Sequence, residues 1–272
     1  MSGLDTWAVA ASLVAWARST GVRDRGPVGS LEALGYTRHV TRSWALAARG
    51  WFITFEGPEG AGKTSQLDRA AAALARRGFD VLATREPGGT WLGERLREVL
   101  LARTGANAPT DATTDAILFN AARRQLVTEV IRPALAAGTT VLCARFADST
   151  LAYQGFGAGL ALDRLALLEG VATDGLKPDL TILLDVPPEI GLRRKAPGEV
   201  TRFEAEFDLA FHRRVREGFL ALAATEPSRF AIVDATASQD AVADSIAGIL
   251  DGLGGTRDNA GEPDTAGLRI TS

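Results

Sequence analysis

The sequence has almost no cysteine and no long uninterrupted apolar segment. Cys143 is the single cysteine among 272 residues, so neither an intrachain disulfide nor a cysteine-based metal cluster can form. The longest apolar run near the start, Ala8–Ala17, is interrupted by Ser12 and follows no basic residue. It is far shorter than the ~20 residues that a membrane helix needs. We therefore expect a soluble, cytoplasmic protein with no membrane partner.

The sequence also lacks an excess of positive charge. Its net charge is −3, so no global basic field indicates a nucleic-acid partner. Lysine is rare: of 30 cationic residues only Lys63, Lys177 and Lys195 are lysines, which makes a lysine at a special spacing informative. The 46% apolar and 23% charged content is typical of a soluble globular protein.

Three zones differ in composition. Residues 1–50 carry no recognisable motif, and we interpret them as an N-terminal extension of unknown role. Residues 251–272 are rich in Gly, Asp and Thr with little apolar periodicity, which predicts a flexible tail. Between them, residues 51–250 alternate short apolar runs with longer helical patterns, as expected for a domain built on a parallel sheet.

The central zone contains five candidate strands, each followed by a helical pattern. Near-continuous apolar runs are typical of strands that are covered on both faces. The candidate strands are Trp51–Glu56, Asp80–Thr84, Thr140–Ala144, Leu180–Asp185 and Phe230–Asp234. The helical patterns, with apolar residues three and four apart, include Ser65–Arg77, Leu92–Ala102, Asp111–Ala137 and Glu204–Ala224.

A phosphate-binding motif follows the first candidate strand. Its eight residues fit G-x-x-x-x-G-K-[ST] between a strand and a helix, the context that the motif requires. In such a loop the main-chain amides converge on phosphate oxygens, the lysine reaches the β- and γ-phosphates, and the threonine hydroxyl ligates Mg²⁺. The residues are Gly57, Pro58, Glu59, Gly60, Ala61, Gly62, Lys63 and Thr64. The sequence thus predicts a P-loop NTPase fold of three layers, with a five-stranded parallel sheet and helices on both faces.

Further motifs downstream indicate a second substrate. In order they are Thr84–Thr90 (TREPGGT), Phe119–Arg123 (FNAAR), Arg145–Phe146 and Ala152–Gly155 (AYQG). In this order and spacing, from about Phe52 to Leu250, the chain resembles the thymidylate kinase family. The resemblance implies transfer of the γ-phosphoryl group of ATP to dTMP, with Mg²⁺ as cofactor and a homodimer as the assembly.

Elementary chemistry supports an acceptor pocket at these residues. Phe119 and Arg123 are four apart on one predicted helix and point the same way, so they can stack a base and pair with its polar edge. Arg85 leaves the end of a parallel strand, where ligands gather in open α/β sheets. The dTMP-binding residues that the resemblance implies are Glu59, Arg85, Phe119, Arg123, Arg145, Ser149, Tyr153 and Gln154. Glu59 matches the acidic residue associated with the sugar 3′-hydroxyl.

A basic segment after the fourth strand predicts a mobile lid. It runs from Gly191 through Arg193, Arg194 and Lys195 to Arg202. Arginine side chains in a lid that excludes water can stabilise the charge of a transferring phosphoryl group. The P-loop itself has no arginine, which resembles the bacterial subtype with its catalytic arginine in the lid. We predict Lys63, Arg145, Arg193, Arg194 and Arg202 as the catalytic residues.

Two positions depart from the family pattern. Ala144 stands where the family usually has an aspartate that helps to organise Mg²⁺, and Thr201 replaces another aspartate in the lid. Weakened catalysis is therefore expected. Two alternatives stay open: a kinase for another nucleoside monophosphate, and a nucleotide-binding module without catalysis. Trp91, which stands where the family commonly has proline, favours the first, whereas Ala144 and Thr201 favour the second.

Overall fold

The computed structural model describes residues 49–102, 111–195 and 201–253. The predicted extension, 1–50, and tail, 251–272, lie almost entirely outside the described residues. So does part of the predicted lid, residues 196–200. Within the described residues, no helix is long and apolar enough to cross a membrane.

Strands and helices alternate along the described chain. The strands are β1 (Phe52–Glu56), β2 (Val81–Arg85), β3 (Thr140–Ala144), β4 (Leu180–Asp185) and β5 (Phe230–Asp234). The first helices are α1 (Lys63–Arg76), α2 (Trp91–Leu101), α3 (Ala112–Leu126), α4 (Arg132–Ala136) and α5 (Ala147–Thr150). The remaining helices are α6 (Leu162–Thr173), α7 (Pro188–Arg194), α8 (Arg202–Glu206), α9 (Leu209–Thr225) and α10 (Gln239–Leu250). Two π-helical stretches, Val127–Ile131 and Leu151–Gly157, continue α3 and α5.

The five strands form one parallel sheet in the order β2-β3-β1-β4-β5. Successive side chains of a strand point to opposite faces, so each strand feeds two cores. Ile53 and Phe55 pack with α1 and α10 on one face, whereas Phe52 and Val141 pack with α3 and its π-helical continuation on the other. This arrangement confirms the predicted three-layer, five-stranded fold.

The prediction of one continuous helix over Glu204–Ala224 is wrong. The chain forms α8 and α9 instead, with Phe207 and Asp208 between them. The break has a local cause: Asp208 accepts a hydrogen bond from the Phe211 amide at 2.8 Å and so starts a new helix as its N-cap. The periodicity of the apolar residues continues across the break, which is why the pattern alone did not reveal it.

Candidate functional site

A cleft of about 1090 Å³ lies where β1, β2 and β3 end. Ligands in open α/β sheets bind at this carboxyl edge. The P-loop forms one part of its wall, and the π-helical stretch after α5 forms another. Thirteen of the predicted site residues line it: Glu59, Gly60, Ala61, Gly62, Lys63, Thr64, Phe119, Arg123, Arg145, Ser149, Tyr153, Gln154 and Arg194.

The helix that follows the P-loop begins without a side-chain cap. Its N-cap residue, Gly62, has φ 89° and makes no capping hydrogen bond, and its first turn contains no acidic residue. By contrast, Thr90 and Asp111 cap α2 and α3 with their side chains. The uncapped amides of α1, together with the helix dipole, leave an anion-binding position at the end of the loop.

The P-loop lies directly against helix α7. Gly60 has φ +69°, and a Cβ there would stand 1.9 Å from the Gly191 carbonyl oxygen. A Cβ on Gly191 would likewise stand 2.1 Å from the Glu59 carbonyl oxygen. Both glycines are therefore required for this close approach of the two backbones. The contact holds the start of the basic segment against the phosphate loop.

Lys63 is folded back onto its own loop. Its Nζ donates hydrogen bonds to the carbonyl oxygens of Gly57 and Pro58, at 2.8 and 2.7 Å. Burial, together with the charge of Arg145, lowers the pKa of the Lys63 amine to about 7, against the opposing effect of Glu59. The amine thus lacks an anionic partner strong enough to offset its burial, as expected at a position meant for phosphate.

Glu59 stands at the junction of the two halves of the cleft. Its Oε1 accepts hydrogen bonds from Arg145 Nη2 and from the Tyr153 hydroxyl, at 2.5 and 2.9 Å. Its Oε2 lies 3.3 Å from Lys195 Nζ. Although burial by itself raises its pKa, the charges of Arg145, Lys63 and Lys195 hold the pKa of Glu59 well below the ordinary value.

The other half of the cleft is aromatic. Phe119 is half-buried in the wall, and its ring centroid lies 6.2 Å from that of Phe203. Tyr153 packs edge-on against Phe203 at 5.6 Å, and Gln154 lines the same wall. An aromatic surface with an amide beside it suits a planar base with polar edges.

Arg123 is almost completely buried, with 1% of the side chain exposed. Its guanidinium contacts the carboxylate of Glu86 at 2.8–2.9 Å. It also donates hydrogen bonds to Asn120 Oδ1, the Phe146 carbonyl oxygen and Thr150 Oγ1. The predicted base-binding arginine therefore holds the wall of the cleft together through five contacts.

Some predicted residues do not reach the cleft wall. Arg85 is half-exposed and pairs with Glu94 at 3.1 Å, and Arg193 lies outside the wall. Arg202 is buried: its Nε donates to the Leu100 carbonyl oxygen at 2.6 Å, and its Nη2 lies 2.7 Å from Asp115 Oδ2. Gly57 and Pro58 also lie outside the wall; their carbonyl oxygens accept hydrogen bonds from Lys63 Nζ, and that of Pro58 also accepts one from the Ala61 amide.

Sequence reasoning left three charged residues of this region out of the predicted site. Arg97, on α2, lines the cleft and donates to the Pro87 carbonyl oxygen at 2.9 Å. Glu56 is fully buried at the end of β1, where it accepts from the Phe146 amide and Ser149 Oγ; burial and Asp148 raise its pKa to about 7. The third is Lys195. A carboxylate at the end of a largely apolar strand was the available signal for Glu56.

The two departures from the family pattern have different consequences. Thr201 caps α8 in a capping box with Glu204, so a hydroxyl performs the capping that an aspartate could perform there. Ala144 is buried among Phe55 and Ala61 on the α1 side of the sheet and supplies no oxygen. Asp148 does not replace it, because its carboxylate is paired with Arg229 at 2.7 and 2.9 Å.

The donors at the P-loop suit a magnesium ion carried in by a nucleotide. Thr64 is exposed in the first turn of α1 and offers a hard hydroxyl oxygen in the cleft wall. Among the described residues, no group of three or more His, Cys, Asp or Glu could hold a metal by itself. Mg²⁺ typically takes its remaining ligands from substrate phosphates and water, so this donor set fits it.

Comparisons with known proteins agree with this geometry. The family model described as thymidylate kinase matches residues 55–246. Thymidylate kinases of Thermomicrobium roseum and Deinococcus radiodurans are each 54% identical, over 198 and 194 residues; the matches span 72% and 71% of this chain and 92% of each relative. A crystal structure of thymidylate kinase from Ehrlichia chaffeensis aligns with a TM-score of 0.60 at 32% identity, covering 74% of this chain and 99% of that one. With its P-loop, its parallel sheet and a match along most of its length, the chain belongs to the thymidylate kinase family.

Proposed function

We propose that this protein transfers the γ-phosphoryl group of ATP to dTMP, giving ADP and dTDP. One observation carries the proposal: the same cleft has the phosphate loop, followed by the uncapped helix α1, in one half and an aromatic pocket around Phe119 in the other. Two nucleotides bound in these halves would meet end to end at Glu59 and Arg145, as phosphoryl transfer in line requires.

Each half has a distinct task in this reaction. The loop amides and Lys63 bind the donor phosphates, and Thr64 would hold a Mg²⁺ ion, which would neutralise part of their charge. Phe119 stacks on the thymine, and Arg145 draws the acceptor phosphate toward the donor. The attacking oxygen belongs to a phosphate that is already anionic, so the reaction needs no strong general base.

The proposal is tested by ADP release in a coupled assay with ATP, Mg²⁺ and a series of nucleoside monophosphates. We expect kcat/KM for dTMP to exceed that for dUMP, dGMP and AMP, with dTDP identified as the product. A higher value for another acceptor would make the protein a kinase for that nucleotide instead. Binding of ATP and dTMP without any product, even at high enzyme concentration, would indicate a non-catalytic nucleotide-binding module.

We also propose that Ala144 slows the reaction, because Asp148, which is paired with Arg229, does not replace the missing aspartate at the end of β3. Ala144→Asp should raise kcat about tenfold by adding a negatively charged oxygen where Mg²⁺ would bind. The neutral isostere Ala144→Asn is the matched control and should give no such rise. Equal kcat values for the wild type, Ala144→Asp and Ala144→Asn would contradict the proposal.

The assembly that we propose is a homodimer formed through helices α2, α3 and α6. These helices pack on one another and expose large apolar side chains, with Leu167 and Val171 on α6 74% and 77% exposed and Ile117 on α3 50% exposed. Exposed apolar clusters of this kind mark interaction surfaces.

A double substitution tests the dimer. Leu167→Glu with Val171→Glu should convert the protein to a monomer, because forming the dimer would then bury two charges from each protomer. Light scattering after size-exclusion chromatography measures this change. Ile232→Glu, on the edge strand β5, removes a residue of similar exposure and should leave the dimer intact. A monomeric wild type, or a dimer that survives the double substitution, would contradict this assembly.

The cytoplasm is the proposed location, which cell fractionation tests.

A further inference from the structure

We propose that Lys195 is the catalytic cation that the basic segment after β4 supplies to the transferring phosphoryl group. The inference rests on the proposed kinase function and names a residue for it. It reassigns to a lysine the task that the sequence pattern assigned to Arg193, Arg194 and Arg202.

The described contacts of the arginines argue against that task for two of them. Arg202 is held in the interior by Asp115 and the Leu100 carbonyl oxygen, which join α8 to the ends of α2 and α3. Arg194 donates to the carbonyl oxygens of Ala235 and Thr236, at 2.8 and 3.3 Å, just beyond β5. Arg193 is outside the cleft wall.

Lys195 is brought to the phosphate loop by the packing of α7. Gly191 touches the backbone of the loop so closely that no Cβ fits between them. Residues four apart lie on the same side of a helix, so the side of α7 that rests on the loop continues to Lys195 at its C-terminus. The spacing from Gly191 to Lys195 therefore places the lysine on the side of α7 that rests on the loop, whereas Arg194, which also lines the cleft, is directed to the carbonyl oxygens beyond β5.

The ammonium group of Lys195 lies at the junction of the cleft. Its Nζ is 3.3 Å from Glu59 Oε2 and 2.5 Å from Glu204 Oε1, and the side chain is 21% exposed. Arg145 contacts the other oxygen of Glu59. Two cations thus flank one carboxylate at the place where the donor and acceptor halves meet.

The chemistry follows from an exchange of partners. During transfer, a bond forms between an acceptor phosphate oxygen and the γ-phosphorus, while the bond from that phosphorus to the β–γ bridging oxygen breaks and its electron pair leaves with ADP. Negative charge on the three equatorial oxygens then needs donors. Lys195 has three N–H donors on a flexible stem, so it can leave Glu59 and Glu204 for those oxygens without a change in the backbone.

Three variants test this role. Lys195→Ala should lower kcat for dTDP formation at least a hundredfold, whereas dissociation constants for dTMP and a non-hydrolysable ATP analogue should change less than about threefold. Lys195→Arg should recover kcat to within about tenfold of the wild type. Lys177→Ala removes the same chemical group from an exposed site paired with Glu226 and should leave kcat within twofold.

A binding measurement separates catalysis from mere support of the cleft. ADP, dTMP and aluminium fluoride together mimic the transferring phosphoryl group, and Lys195→Ala should weaken this complex at least tenfold while binding ADP and dTMP alone as the wild type does. If Lys195→Ala does not fold, as judged by its thermal unfolding, Lys195→Met takes its place under the same criteria.

The outcomes that overturn the inference are distinct from those that overturn the function. If the wild type forms dTDP and Lys195→Ala has an unchanged kcat, the catalytic role of Lys195 is rejected and the kinase function stands. The same holds if Lys195→Ala and Lys195→Arg lose kcat equally and the aluminium fluoride complex binds as in the wild type. A wild type that makes no dTDP would reject the proposed function, and the catalytic role of Lys195 with it.

Discussion

Replacing Lys63 by alanine is expected to lower kcat for dTDP formation about a thousandfold. The amine is buried in the loop, and its nearest partners are the carbonyl oxygens of Gly57 and Pro58. These neutral acceptors do not offset the cost of burying a charge, so the amine gains most when a phosphate arrives. A cation in a water-poor site contributes on the order of 10²–10³ to kcat when it meets developing charge.

The measurement is steady-state kinetics with ATP and dTMP, accompanied by calorimetric titration of each nucleotide. ATP binding should weaken in Lys63→Ala, whereas dTMP binding, which uses the opposite half of the cleft, should not. Lys177→Ala again serves as the matched control. A kcat within tenfold of the wild type, or equal loss of affinity for both nucleotides, would show that Lys63 does not act on the donor phosphates.

The second large effect is on stability. Arg202→Met is expected to lower the free energy of unfolding by about 3–5 kcal/mol, the range for breaking a buried ion pair from one side. The side chains of Arg202 and Asp115 are 4% and 5% exposed, and removing the arginine takes this charge partner away from a buried carboxylate. The hydrogen bond to the Leu100 carbonyl oxygen is lost as well.

Chemical denaturation measures this change, and a double substitution controls it. Arg202→Met with Asp115→Leu removes both charges and should recover much of the lost stability, because well-packed apolar residues can replace a buried pair. The two single effects should then be strongly non-additive. If Arg202→Met instead left the unfolding free energy unchanged and reduced kcat, Arg202 would be a catalytic arginine and its buried contacts would be incidental.

Local chain geometry explains how much could be predicted from the sequence. Three strands, β3, β4 and β5, have the predicted bounds, because each is a compact apolar run that ends where polarity returns. Only β3 and the middle of β4 are buried on both faces, whereas β5 is an edge strand with Ile232 exposed. The P-loop was predictable for a similar reason: its function lies in eight consecutive residues, whose glycines allow the backbone conformations that its amides need.

The roles of the charged side chains were less predictable. Arg193, Arg194, Lys195 and Arg202 occur in one basic segment, and nothing in that pattern ranks them. Their roles depend on oxygen atoms that are distant along the chain: those of Leu100 and Asp115 for Arg202, and that of Ala235 for Arg194.

The sequence by itself determined the fold class, the phosphate loop and the family, since these follow from short-range patterns and their order. Only the tertiary structure decided that Lys195 faces Glu59, that Asp148 is paired with Arg229 and that Arg202 is interior. The physical reason is that the free energy of a charge depends on burial and on the nearest opposite charge, and both are properties of the folded chain.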